Sequence, residues 1–277
     1  MSDIEKGIRK HAKELLKKGK VAYVIGYEQS GKDRVRPFFA KSPGDADRLV
    51  WNKSCMNNLA VYLLENKKRV GIVAKGCDSR AIVELIKANQ IKRDEIYIIG
   101  IPCEGVESGD GVLLDNCRVC RYKNPVIYDV LLGEEIEDTI EDDYSDVKEI
   151  ESLSMEERFT FWMNEFERCI KCFACRNICP MCYCSECILE ERDLQLVSKQ
   201  GRNDEMFLFH LTRALHLAGT CVDCGACERA CPVGIPLRLL YRKTAKDVKE
   251  FFNYEAGVDL NEKRPLAQFD PVGDEEI

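Results

Sequence analysis

One run of cysteines occurs twice, and it constrains this chain more than any other feature. Cys169-x2-Cys172-x2-Cys175-x3-Cys179-Pro180 is matched by Cys221-x2-Cys224-x2-Cys227-x3-Cys231-Pro232. Three thiolates on a tight turn can reach three corners of one iron–sulfur cube. The fourth, displaced by three residues and followed by proline, points away towards a second cube. The spacing predicts crossed ligation of two 4Fe–4S clusters. Cys169, Cys172, Cys175 and Cys231 would hold the first, and Cys221, Cys224, Cys227 and Cys179 the second. The plainer alternative is a pair of structural zinc sites.

The chain has 16 cysteines in 277 residues. Its start, MSDIEKGIRKHAKELL, is charged and lacks the apolar core of a secretory signal. A cytoplasmic location is expected, where thiols stay reduced and disulfides are a poor explanation for the cysteines. So many thiolate sites would suit an anaerobic host, because oxygen drives cysteine up its oxidation ladder. The formal net charge of −7 argues against nucleic acid as a partner. No stretch approaches the roughly 20 apolar residues that span a bilayer.

The length suits two domains. Residues 3–18 read as a helix with Ile4, Ile8, Ala12, Leu15 and Leu16 on one face, and VAYVIGY (21–27) as a strand. NNLAVYLLEN (57–66) has a helical pattern. VGIVA (70–74), SRAIVELIKAN (79–89) and IYIIGI (96–101) together read as a strand, a crossover helix and a parallel strand. From Glu134 to Glu157 the chain turns acidic and reads as a solvated linker at the domain boundary. Ser154 and Glu157 form a capping-box pattern, followed by Phe159, Trp162 and Phe166 at helical spacing, a packing stripe. Residues 186–219 read as mostly helical, and a last helix runs from Leu237 to about Phe252. The expected domains are 1–133, a linker over 134–157, 158–252, and an extended tail over 253–277.

Cys77 follows the first strand of the βαβ unit and Cys103 follows the second. In a parallel sheet the carboxyl ends share one edge, where open α/β folds place ligands, so the two cysteines should be neighbours. Cys117-x2-Cys120 supplies two further thiolates from a short loop, which makes a third candidate metal site. Free buried thiols or zinc are the alternatives.

Two resemblances bear on these residues. The 41 residues between Cys179 and Cys221 have a helical pattern, unlike the short connections of small ferredoxins. Residues 155–250 resemble the α-helical ferredoxin domains of fumarate reductase iron–sulfur subunits and heterodisulfide reductase small subunits. VAKGCDSRAIVELIKANQ, IIGIPCEGV and DNCRVCRYKNPVIYDVLLGE resemble the amino-terminal domain of the β-subunit family of deazaflavin-reducing hydrogenases and methanogen-type formate dehydrogenases. That resemblance implies a third 4Fe–4S cluster on Cys77, Cys103, Cys117 and Cys120, with FAD beside it and electron exchange with the deazaflavin coenzyme. The chain departs from the flavin-binding members after Cys120. There RYKNPVIYDVLLGEE runs straight into the acidic segment instead of a Gly-rich segment and a further domain. The expected fold class is α+β, with an N-terminal α/β domain on a partly parallel sheet and a C-terminal α-helical dicluster ferredoxin domain.

Other features carry less. Gly26-x4-Gly31-Lys32 nearly spells a phosphate-binding loop, but Asp33 replaces the final Ser/Thr and the next residues look extended, so a hairpin turn fits better. His11, His210 and His216 have no metal-ligand setting and read as packing or surface residues. Arg168, Lys171, Arg176 and Arg229 flank the ligands, where they are either solvated or tune potentials. Cys55, Cys182, Cys184 and Cys187 remain. Each alone reads as packing, whereas three in six positions could join Cys55 in a further cluster or zinc site. The expected function is an iron–sulfur electron-transfer subunit without a substrate site of its own. It would join the catalytic redox subunit of a hydrogenase-, formate dehydrogenase- or heterodisulfide reductase-type complex to an electron carrier. The alternatives are a flavin-bearing β subunit acting on a deazaflavin coenzyme or ferredoxin, and a zinc-stabilised assembly protein.

Overall fold

The apolar runs at 70–74 and 96–100 lie side by side as β3 (Val70–Ala74) and β4 (Ile96–Gly100), parallel and in register from Val70 opposite Ile96 to Ala74 opposite Gly100. β3 is buried along its whole length. A parallel strand covered on both faces needs such an unbroken apolar run. Between the two strands α2 (Gly76–Lys87) makes the crossover. β1 (Val24–Gln29) pairs in parallel with β3 and antiparallel with β2 (Val35–Ala40), and the two-residue β5 (Val130–Leu131) closes the order β2-β1-β3-β4-β5. α1 (Asp3–Lys17) seats Ile8, Ala12 and Leu15 in the core with Val24, Val73 and Ile99.

This architecture comes from a computed structural model that describes residues 2–31, 34–64, 68–137, 139–191, 196–198 and 202–265. The chain divides into two units, Met1–Asp143 and Tyr144–Ile277. In the first, the Ser30 N–H donates to Arg34 O at 2.8 Å across the β1–β2 hairpin, while Lys32 and Asp33 of the expected turn lie outside the described residues. The segment read as a helix over 57–66 is a single 3-10 turn, Leu59–Leu63, whose Asn58 side chain accepts from the Ala60 N–H. Residues 65–67 lie outside the described residues.

The second unit is helical: α4 (Ser145–Glu151), α5 (Met155–Glu167), α7 (Asn203–His216) and α9 (Leu237–Phe252), with the short α6 (Ala174–Asn177) and α8 (Ala226–Arg229) inside the cysteine runs. Ser154 and Glu157 cap α5 reciprocally. Among the described residues of 186–219, the helical reading holds in α7. The Glu205 carboxylate accepts from the Arg202 and Ser198 N–H groups at 3.1 Å each, which fixes the start of the helix and leaves the described residues before it irregular. Residues 192–195 and 199–201, and the tail from 266, lie outside the described residues.

The acidic stretch is not solvated throughout. Ile136 is tied to Asn124 by two hydrogen bonds, and beyond the boundary Asp146 and Glu151 of α4 face basic residues of α9. Asp146 accepts from Arg238 at 3.0 Å and Arg242 at 2.9 Å, and Glu151 pairs with Lys243 and Lys246 at 3.0 and 2.8 Å. Charge complementarity to a lysine- and arginine-rich helix, rather than solvation, explains those acids.

Candidate iron–sulfur sites

The two cysteine runs share a backbone as well as a spacing. The residues two and four positions after the first cysteine are left-handed in both: Lys171 (φ 54°) and Phe173 (φ 56°), and Asp223 (φ 52°) and Gly225 (φ 67°). Each run then enters a one-turn helix, α6 or α8. Left-handed φ values are rare for non-glycine residues and persist where the surroundings enforce them.

Cys169, Cys172 and Cys175 line one cavity, and the fourth cysteine on its wall is Cys231, from the other run. Cys221, Cys224 and Cys227 line a second cavity, and its fourth cysteine is Cys179. The remaining walls are largely apolar: Phe173, Phe209 and Ile235 in the first, Met181, Leu217 and Val222 in the second. Among the described residues, no three His, Cys, Asp or Glu side chains converge at the spacing of a single metal ion.

Three of the buried thiols, Cys175, Cys179 and Cys227, are costly to ionise without metal. Burial pushes Cys175 up, and it pushes Cys227 well up, helped by Cys221 and Cys224. Cys179 is raised by its hydrogen bond with Cys182 and then by burial, whereas that bond and Arg213 make Cys182 the more readily ionised of the pair. Metal binding offsets such a penalty, because a metal selects the thiolate.

α7 brings His210, read from sequence as packing or surface, to the wall of the first cavity, and Arg213, which no sequence pattern marks, to its cysteine Cys175. His210 Nε2 lies 3.4 Å from Cys169 Sγ, and the ring stacks on Phe166 with centroids 4.6 Å apart. Burial, and then Arg213, lowers its pKa to about 3. One turn on, Arg213 donates to Cys175 Sγ (3.3 Å), Cys175 O (3.3 Å), Cys182 Sγ (3.4 Å) and the Tyr241 hydroxyl (2.5 Å). His210 is therefore not a plain packing residue. None of the four basic residues flagged beside the ligands has a hydrogen bond to a ligand sulfur among those seen for the described residues. Arg168 donates to Val233 O, Lys171 to Val197 O and Ser198 O, Arg229 to Cys224 O, and Arg176 pairs with Glu190.

In the first unit, Cys77 stands in the first turn of α2 and Cys103 just past β4. Cys117 is on α3 (Asp115–Arg118), and Cys120 follows it. Cys103 lies within electrostatic reach of both Cys117 and Cys120. The loop after Cys120 folds tightly over the start of α2, so that a Cβ on Gly76 would meet Tyr122 O at 2.0 Å. Buried Lys75 donates to the Tyr27 hydroxyl (2.8 Å) and Asn57 O (2.9 Å) and pairs with Asp78 (2.8 Å), and Cys77 and Cys103 both sense its charge. Burial pushes Cys103 and Cys55 up to about 11 and raises Cys120. Cys55 sits near Cys103, while Cys182 sits with Cys179 and Arg213. Cys184 is exposed and Cys187 half-buried.

A family model described as a 4Fe-4S dicluster domain matches residues 165–235. The chain is similar to the F420-dependent formate dehydrogenase subunit beta of Methanocaldococcus jannaschii, 26% identical in an alignment that covers 75% of this chain and 78% of that protein. It is also similar to the F420-dependent formate dehydrogenase 1 subunit beta of Methanococcus maripaludis, at 24% identity covering 72% and 75%. A chain in a structure of the F420-reducing [NiFe] hydrogenase complex from Methanosarcina barkeri matches at 18% identity, covering 38% of this chain and 42% of that one, with a TM-score of 0.31. The second unit thus carries a 4Fe–4S dicluster domain, and the chain over most of its length resembles the β subunits of F420-dependent formate dehydrogenases.

Proposed function

We propose that this chain is the iron–sulfur electron-transfer subunit of an anaerobic, formate dehydrogenase- or hydrogenase-type oxidoreductase. The observation that carries the reading is the exchange of Cys179 and Cys231 between two four-cysteine cavities. A 4Fe–4S cluster, when bound, takes up and releases one electron at a potential set by its surroundings. Cys169, Cys172, Cys175 and Cys231 would hold one such group, and Cys221, Cys224, Cys227 and Cys179 the other. The largely apolar walls limit access of water, and the two runs present their cysteines on the same backbone geometry. Cys77, Cys103, Cys117 and Cys120 would hold a third cluster in the first unit, beside the fixed charge of Lys75. The partners would be a catalytic redox subunit and an electron carrier, in the cytoplasm. No helix among the described residues is long and apolar enough to cross a membrane.

The iron, zinc and flavin content of anaerobically purified protein tests this. About eight irons per chain correspond to the dicluster pair alone, about twelve add the Cys77 site, and about sixteen add a site on the Cys182 trio. Stoichiometric zinc without iron would sink the proposal. A second reading, a flavin-bearing β subunit acting on a deazaflavin coenzyme, is favoured by the F420 in both relatives' names. Acid release of stoichiometric FAD would select it.

A further inference from the structure

Arg213 is 3% exposed, and its guanidinium is held by Cys175 Sγ and O, Cys182 Sγ and the Tyr241 hydroxyl. Cys175 belongs to the first cavity. Tyr241, whose hydroxyl accepts from Arg213, lines the second, whose ligands Cys179 and Cys227 also sense the Arg213 charge. One buried cation therefore stands between the two candidate clusters. His210, three residues earlier on the same face of α7, reaches a single ligand, Cys169.

We propose that Arg213 is a shared potential-setting residue for both clusters, and that His210 sets the first cluster alone. The inference rests on the dicluster reading above. Reduction adds one negative charge to a cluster and spreads it over the sulfurs. A nearby cation or N–H donor stabilises the reduced form more than the oxidised one and raises the potential. Arg213 cannot shed its proton in a protein, so its charge is present in every redox state. Its burial weakens screening by salt and water, which lets one guanidinium act on two centres. With hydrogen on Nε2, His210 would donate to Cys169 Sγ, 3.4 Å away, and act on the cluster that this ligand holds. The Cys182 sulfur, one of the leftover thiols, then serves as an anchor for Arg213 rather than as part of a separate site.

EPR-monitored redox titration of the full-length protein, with iron counted in each sample, separates these roles. R213Q should lower both midpoint potentials of the dicluster, R213K should fall between R213Q and the parent protein, and H210F should lower only one. H210Q, which keeps a donor at similar reach, should return that one towards the parent value. Unchanged midpoints in iron-replete R213Q and H210F would overturn the proposal. So would iron loss in both R213Q and R213K together with H210F, since these residues would then be clamps for the ligands. A parent protein with fewer than about eight irons fails differently, because it removes the dicluster reading itself.

Discussion

Lys75 Nζ and Asp78 Oδ2 lie 2.8 Å apart with their side chains 3% and 0% exposed, so the ion pair beside the Cys77 site is fully withdrawn from water. Asp78 also accepts from the Lys75 and Leu59 N–H groups, at 2.9 and 2.7 Å. Removing one partner leaves an uncompensated buried charge. D78N is expected to destabilise the first unit by about 3–5 kcal/mol. Anaerobic denaturant titration of the variant checks this, and a change under about 1 kcal/mol would mean that the pair is hydrated in solution.

Gly76 is where the loop that follows Cys120 rests on α2. A Cβ there would meet Tyr122 O at 2.0 Å and Asn124 O at 3.0 Å, both backbone atoms that cannot swing aside. G76A should therefore push the loop away and disperse the Cys77 foursome. We expect a loss of about four irons per chain with the dicluster signals retained. Full iron content in G76A would argue that these four cysteines do not share a cluster.

Crossed ligation has its own signature. C179S should perturb the same EPR component as C224S, and C231S the same component as C172S. Uncrossed ligation predicts the opposite pairing, C179S with C172S and C231S with C224S. Spectra of the four variants distinguish the two arrangements directly.

Acid should act on the second unit through Asp146. Burial alone would raise its carboxyl pKa, but Arg242 and Arg238 outweigh that and hold it below its ordinary 3.8. A carboxylate with a depressed folded pKa contributes stability above its unfolded pKa and loses it as pH falls through the folded one. Stability should therefore decline from about pH 4 downwards, less steeply in D146N. D146N should also be less stable at neutral pH, by roughly 1–3 kcal/mol, through lost charge-assisted hydrogen bonds. Denaturation midpoints across a pH series provide the measurement, and identical profiles for parent and variant would contradict it.

What could be read from sequence was what repeats or alternates along the chain. The βαβ unit was legible because β3 and β4 are unbroken apolar runs flanking an amphipathic segment, and the cysteine runs because ligand spacing is one-dimensional. His210 and Arg213 were not legible. Each meets its sulfur partner only after α7 docks, across 41 and 38 residues of chain, and no local pattern encodes that meeting. The acidic stretch misled for a similar reason, since Asp146 finds Arg238 92 residues away and the composition shows only the charge. The helical reading of 186–219 does not hold at the described residues 186–191 and 196–198, because propensity ignores where Glu205 fastens the chain.

The exchange of fourth cysteines also has a topological consequence. With clusters bound, Cys179 would be tethered to the 221–227 turn and Cys231 to the 169–175 turn, which makes α7 part of a loop closed at both ends. Closing a long loop removes entropy from the unfolded chain, and two closures around the same segment reinforce each other. We therefore expect cluster assembly to be cooperative: inserting the first cube shortens the search for the second. The helix that carries His210 and Arg213 would become rigid only when both are in place. Hydrogen exchange of the α7 amides in samples holding one cluster or two would reveal whether the metal assembles the protein as much as the protein assembles the metal.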